Sequence, residues 1–167
     1  MTTVDVNGAG VTPAGFDLLR LDNQICFTLY ALSRKVTSLY RPLLEPLGIT
    51  YPQYLVFLVM WEMQSGISHD YFIGVPVKLL CQRLALDTGT LTPLLKRMEK
   101  DGWLTRERSR EDEREVLIKL TQKGLDLRQL ALKIPAELLC RVGGEIGGLI
   151  EIQQKLHGLL DHLVSLE

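Results

Sequence analysis

Two hydrophobic periods run along the chain, and each change of period marks a new element. From about Phe16 to Leu44, apolar residues recur at spacings of three and four: Ile25, Leu29, Leu32, Val36, Leu39 and Leu43. That is the stripe of a long helix. Cys26, Tyr30, Ser33, Thr37 and Tyr40 follow at i, i+4, i+7, i+11 and i+14 on a neighbouring face. A helix with two such faces predicts packing on both sides, one against its own domain and one against a partner. Pro46-Leu47-Gly48 ends it. Thr50 is placed to cap the next helix, with Tyr51-Pro52 at its start, where proline is favoured. Tyr54 to Met63 is almost wholly apolar, which predicts burial on most sides. Gln64 to Gly74 reads as a loop. Val75-Pro76-Val77 reads as a short edge strand, because proline is confined to sheet edges. Lys78 to Leu84 reads as a short helix.

From Asp87 to Thr121 the periods switch in quick succession. Asp87 or Thr88 can cap a helix whose buried face is Leu91, Leu94, Leu95 and Met98. Asp101-Gly102 stops it, since glycine accepts the left-handed conformation that ends helices. Trp103 to Arg108 and Val116 to Leu120 alternate apolar and polar, as half-buried strands do. Ser109 to Arg114 between them is too charged to be core. Two short helices followed by a charged hairpin make a winged helix-turn-helix, a mainly α fold with a small β-hairpin wing. Such a fold places its second helix in a DNA major groove and its hairpin towards phosphates or the minor groove. On that reading Thr88, Gly89, Thr90, Thr92 and Pro93 form a small, hydroxylic face suited to close approach to DNA. Lys96 and Arg97 continue it, and Arg108, Arg110, Asp112 and Arg114 belong to the wing. A plain surface helix with a surface hairpin is the competing reading.

The remaining chain returns to helical periods. Thr121 to Cys140 predicts a helix interrupted or bent near Pro135, and Arg141 to Gly144 a break. Leu149, Ile152, Leu156, Leu159, Leu163 and Leu166 form a heptad seam. Its simplest use is a homodimer interface, since helix-turn-helix readers usually bind two half-sites. Packing on the first helix is the alternative. Met1 to Gly15 has no periodicity and reads as a flexible tail.

Composition refines this picture in two places. The 167 residues carry a net charge of −1, an objection to DNA binding. Segregation answers it: Lys96, Arg97, Lys100, Arg106, Arg108 and Arg110 crowd one short stretch. The longest apolar run is too short to cross a bilayer, and the N-terminus has no secretory signal pattern, so a cytoplasmic protein is expected. Its thiols, Cys26, Cys81 and Cys140, are then expected to be free at rest. An odd count without a CxxC pair argues against a disulfide scaffold or a zinc ribbon. His69, His157 and His162 have no metal-ligand spacing, so neither metal nor cofactor is expected.

Leu21 to Phe27, then Tyr30, Tyr40, Pro42-Leu43-Leu44 and Ile49 to Leu55, resemble the organic hydroperoxide-sensing regulators of the MarR family. Leu86 to Met98, Arg108-Ser109 and Asp112-Glu113-Arg114 continue the match, which covers about residues 18 to 165. The DNA-binding half alone would indicate only the wider family; the first-helix cysteine with three tyrosines narrows it. The resemblance implies a non-enzymatic, dimeric winged-helix repressor that leaves its operator DNA on oxidation. It divides the domain at 16–167 into a helical dimerisation region, 16–50 and 121–167, and a DNA-binding region, 51–120. It implies that organic hydroperoxides oxidise Cys26 and that the partner chain's Tyr40 and Tyr51 hydrogen-bond that sulfur. Cys140 falls where two-cysteine members carry a resolving thiol, which implies a disulfide with Cys26. The Gln64–Gly74 loop looks longer than the family's, and Cys81 reads as a small buried hydrophobe.

The residues bear on the thiol independently. A peroxide-reactive cysteine must be a thiolate at neutral pH. Cys26 has no Lys, Arg or His at i±4, and Asp22 opposes its ionisation. Phenolic O–H donors, from Tyr30, Tyr40 and Tyr51, can stabilise the thiolate instead. Tyr40 lies about 21 Å from Cys26 along a straight helix, so contact requires a second chain running antiparallel. Apolar Ile25, Phe27 and Leu29 favour alkyl hydroperoxides over hydrogen peroxide. A thiol peroxidase and a regulator that binds a phenolic ligand non-covalently are the competing functions. Turnover would identify the first, and DNA release with all thiols blocked would identify the second.

Overall fold

The computed structural model describes residue 17, residues 19–143 and residues 146–166, apart from the side chains of Asp70, Ile146 and Leu149. The tail expected over Met1 to Gly15 lies outside the described residues. The chain divides into two compact units, Met1–Ser38 and Leu39–Glu167, taken here separately.

In the first unit the long helix starts where its stripe does, at Ile25, later than the start expected near Phe16. A 3-10 turn covers Leu21–Asn23, and helix α1 spans Ile25–Leu44, crossing into the second unit. Asp17 explains the delay. Its carboxylate accepts the Leu19 N–H at 2.9 Å and its carbonyl accepts Asn23 Nδ2 at 2.7 Å. Such local bonds offer the backbone an alternative to a helix. Leu21, Ile25, Phe27, Tyr30 and Leu32 all remain exposed in the single chain.

In the second unit α2 spans Tyr51–Met63, and Thr50 and Gln53 form a capping box at its start. This helix is apolar on every side, and Val56, Phe57 and Met60 are completely buried. Each such side chain contributes roughly 1.5–3 kcal/mol by leaving water. The Gln64–Gly74 loop holds a 3-10 turn at His69–Tyr71 and is pinned by buried Phe72, while Ile67, Tyr71 and Ile73 face solvent.

Strand β1 is Val75–Pro76 and α3 is Val77–Leu84; Val77, expected in the strand, opens the helix. Helix α4 spans Thr88–Lys100, strands β2 and β3 are Leu104–Arg108 and Val116–Leu120. The sheet has the order β1-β3-β2 and is antiparallel, with Val75 opposite Ile118 and Leu104 opposite Leu120. Pro76 therefore sits on an edge, where its missing N–H is tolerated.

Residues Thr121 to Cys140 form two helices rather than one bent helix. Helix α5 spans Gln122–Ala131 and α6 spans Ile134–Val142. Pro135 cannot donate to the Ala131 carbonyl, and its ring opposes continuation. It occupies the first turn of α6, where no N–H is needed. Gly124 locks α5 to the wing: a Cβ there would lie 2.3 Å from the Trp103 carbonyl. Trp61 Nε1 donates to the Gly124 carbonyl at 3.1 Å. Helix α7 spans Ile146–Val164, starting before the seam. Ile152, Leu156, Leu163 and Leu166 of that seam are exposed. Among the described residues no single helix is long and apolar enough to cross a membrane.

Candidate functional site

Helix α4 is set up by its first turn. The Asp87 carboxylate accepts the Thr90 N–H at 2.8 Å and the Thr90 hydroxyl at 2.7 Å. The Thr90 hydroxyl and then its N–H hold this carboxyl below the usual carboxylate range. Leu91, Leu94, Leu95 and Met98 are buried, so by helical periodicity Gly89, Pro93, Lys96 and Lys100 share the opposite, solvent-facing side. Pro93 removes the N–H that the Gly89 carbonyl would accept, leaving that acceptor on this bare face.

The sequence-expected contacts separate onto three sides of α4. Thr88 and Thr92 line a cleft with Cys81, Arg106, Asp112 and Arg114, between the helix-turn-helix and the wing. Thr90 and Arg97 line a groove on the other flank, with Thr50, Gln53 and Lys100. Thr90 spends its hydroxyl on the cap. Cys81, expected to be a small buried residue, is only partly buried, and its Sγ lies 3.8 Å from the Thr88 hydroxyl. Arg106, not singled out as a contact, pairs with Glu99 of α4 at 3.8 Å.

The wing tip is ordered by a serine. Ser109, within a segment expected to be wholly surface, is buried. Its hydroxyl accepts the Glu111 and Asp112 N–H groups at 3.2 and 3.4 Å. Its own N–H reaches the Glu115 carbonyl at 2.9 Å, closing the hairpin. Asp112 accepts the backbone N–H of Arg114 at 2.9 Å. Arg108 donates to the Glu113 carbonyl at 3.3 Å. Among the described residues no ion pair neutralises Lys96, Arg97, Lys100, Arg110 or Arg114. Those five exposed cations answer the objection raised by the net charge.

The phenols form two groups. In the first unit Tyr30 is exposed, and Arg34 donates to its hydroxyl at 2.9 Å. Their i, i+4 spacing was legible in the sequence. In the second unit the Tyr40 and Tyr51 rings lie 4.7 Å apart, and Tyr54 adds a third ring 5.8 Å from Tyr40. Burial pushes the Tyr40 phenol up to about 12, helped by repulsion from Tyr51 and then Tyr54. Burial also raises Tyr51. Both therefore keep their protons at neutral pH. Among the described residues neither hydroxyl has a hydrogen-bond partner within its chain. Cys26 and Cys140 are both exposed and free, and among the described residues no cluster could hold a metal ion.

Known proteins resemble this chain in sequence and fold. Residues 38–129 match the family of the transcriptional regulator SarA/Rot. The organic hydroperoxide resistance transcriptional regulator of Bacillus subtilis (strain 168) is 47% identical over 150 residues, 89% of this chain and 95% of the relative. AbfR is a Staphylococcus epidermidis protein. Its reduced form bound to DNA superposes with a TM-score of 0.68 at 32% identity, over 87% of this chain and 96% of AbfR. Disulfide-formed AbfR superposes with a TM-score of 0.57 at 33% identity, over 85% and 93%.

Proposed function

This chain belongs to the MarR/OhrR-type transcriptional regulators, and on that premise we propose that it is a repressor whose Cys26 senses organic hydroperoxides. One observation carries the reading: the Tyr40 and Tyr51 rings lie 4.7 Å apart, and among the described residues neither protonated hydroxyl has an acceptor in its own chain. Such a pair of donors fits a thiolate brought by a second copy. The exposed apolar residues of α1 and α7 supply surface for that second copy.

The chemistry follows from the thiolate. Cys26 Sγ attacks one peroxide oxygen, a sulfur–oxygen bond forms and the oxygen–oxygen bond breaks. The alkoxide takes a proton and leaves as an alcohol. The peroxide is reduced, and the sulfur is oxidised by two electrons to sulfenic acid. The Cys140 thiolate of the other copy then attacks that sulfur, the sulfur–sulfur bond forms as the sulfur–oxygen bond breaks, and the departing hydroxide takes a proton from solvent and leaves as water. Tyr30, beside Cys26 on α1, supports the same thiolate. Bridging needs Cα atoms within about 7 Å, so closure from any larger resting separation moves the helices and changes the spacing of the two α4 helices. Rigidly spaced DNA half-sites do not tolerate that change. Gly89, Pro93 and Lys96 meet the DNA directly. Thr88, Thr92 and Arg114 reach it from the wing side, Thr90 and Arg97 from the other flank, and Arg108, Arg110 and Asp112 from the wing. The sensor reacts once per thiol rather than turning over, in the cytoplasm with its DNA.

The relatives support this order of events: reduced AbfR was crystallised on DNA, and a disulfide-formed AbfR exists. The testing experiment is an operator-binding assay before and after cumene hydroperoxide, then after a thiol reductant. Release by the peroxide and recovery with the reductant are expected. Continued operator binding by the Cys26–Cys140 disulfide-linked form would refute the proposal. Oxidised protein should also run as a covalent dimer on a non-reducing gel, linked through Cys26 and Cys140.

A further inference from the structure

Tyr54 belongs to no group the mechanism uses, yet it occupies the most constrained position in the phenol cluster. Its side chain is 3% exposed, whereas Tyr40 and Tyr51 are each only partly buried. Its ring packs on Tyr40 at 5.8 Å with a 42° tilt, and edge-on against Trp61 at 6.5 Å. Trp61 is itself anchored through Nε1 to the Gly124 carbonyl and stacked on Phe57 at 5.2 Å. Tyr40 thus packs on the fixed ring of Tyr54 and on the more exposed ring of Tyr51. A donor held in one rotamer loses little entropy when it binds its acceptor.

We propose that Tyr54 is a positioning residue for the thiol reaction, holding the Tyr40 ring so that its hydroxyl meets the partner's Cys26 sulfur. This inference rests on the reading of Tyr40 and Tyr51 as thiolate donors. Tyr54 acts through its ring face and does not touch the sulfur. Burial raises the Tyr54 phenol as well, so it adds no negative charge beside the site at neutral pH.

The test uses full-length reduced protein, with cumene hydroperoxide as oxidant. Two quantities are followed: the rate of Cys26 oxidation and the apparent Cys26 pKa, from thiolate absorbance against pH. Tyr54→Phe keeps the ring and should match the parent in both. Tyr54→Leu removes the ring; it should slow oxidation by roughly fivefold or more, since small misplacements are costly, and raise the Cys26 pKa. Its operator affinity should stay within about twofold of the parent, as expected for a change remote from the DNA face. A merely structural role would lower thermal stability and operator affinity while leaving the Cys26 pKa in place. Tyr54→Met, of similar bulk and adaptable shape, serves if the leucine variant does not fold. Parent-like rate and pKa in the leucine or methionine variant would overturn the inference, as would a Tyr54→Phe loss equal to that of Tyr40→Phe. If Tyr40→Phe itself leaves the rate and pKa unchanged, the donor reading fails instead.

Discussion

Helices α1 and α2 are both rich in apolar residues, but they end up in opposite conditions. Seven of the thirteen residues of α2 are buried, against two of the twenty in α1, Leu43 and Leu44. Helix α2 finds its partners in its own chain: α3, α4 and α5 all contact it. Along α1 the apolar stripe fades into exposure towards Ile25, and α7 is exposed along most of its length. The contrast separates two jobs. The winged helix completes its core alone, whereas the end that carries Cys26 has its apolar surface and its thiol facing outwards. The proposed sensor would be completed at that end by a second copy.

The largest effect should come from the unfinished end. Cys26→Ser preserves size and removes the reactive sulfur, so the variant should bind operator DNA like the parent and stay bound in hydroperoxide. Release equal to the parent's would take Cys26 out of the account. Substitutions at the two ends should also fail in different ways. Gly124→Ala drives a methyl into the Trp103 carbonyl, and overpacking of this kind costs about 1–3 kcal/mol, read in denaturant melts. Leu32→Glu, on exposed α1, should leave each chain folded and shift sedimentation towards the monomer. If Leu32→Glu leaves the sedimentation unchanged, the exposed stripe is not an assembly surface.

Arg114→Ala makes a smaller change. Its guanidinium is unpaired in the wing, so loss of one phosphate contact should weaken binding across sequences and lower the salt slope by about one unit. An unchanged slope would put Arg114 off the DNA. The smallest effects are those of pH. The folded Tyr40 phenol titrates near 12, above its ordinary value of 10.0, so stability should be flat below pH 10 and fall as the pH rises towards 12. The Asp87 cap has the opposite sign. Its stabilisation is present above the ordinary carboxylate range and disappears only as the pH falls through the lowered folded value. Melting curves over both ranges check the two signs.

The winged half was readable because its signals are local. Asp87 caps α4, Gly102 ends it at φ +75, and the β2 and β3 alternation sets the strand faces. Misreadings arose where a local competitor or a distant neighbour decided the outcome. Asp17 bonds diverted the chain before Ile25, whereas the interruption expected near Pro135 does divide α5 from α6. Ser109 is buried because its hydroxyl closes the wing tip, which a charge count does not register. Of the site, the stripe from Cys26 to Tyr40 was visible as spacing. The Tyr40–Tyr51 ring pair and the Tyr54 ring packed on Tyr40 arise from tertiary packing between α1 and α2.

On the proposed reading, Cys26 and the Tyr40 and Tyr51 phenols that activate it belong to different copies of the chain. Subunit mixing tests it most directly, using Cys26→Ser together with Tyr40→Phe/Tyr51→Phe. Alone, the first should not react with cumene hydroperoxide at position 26, and the second should react slowly. In a mixed dimer the cysteine of the tyrosine variant meets the intact tyrosines of the serine variant. One of its two sites should then oxidise at the parental rate. If the mixed dimer is no faster than the tyrosine variant alone, the phenols act within their own chain and the account is wrong.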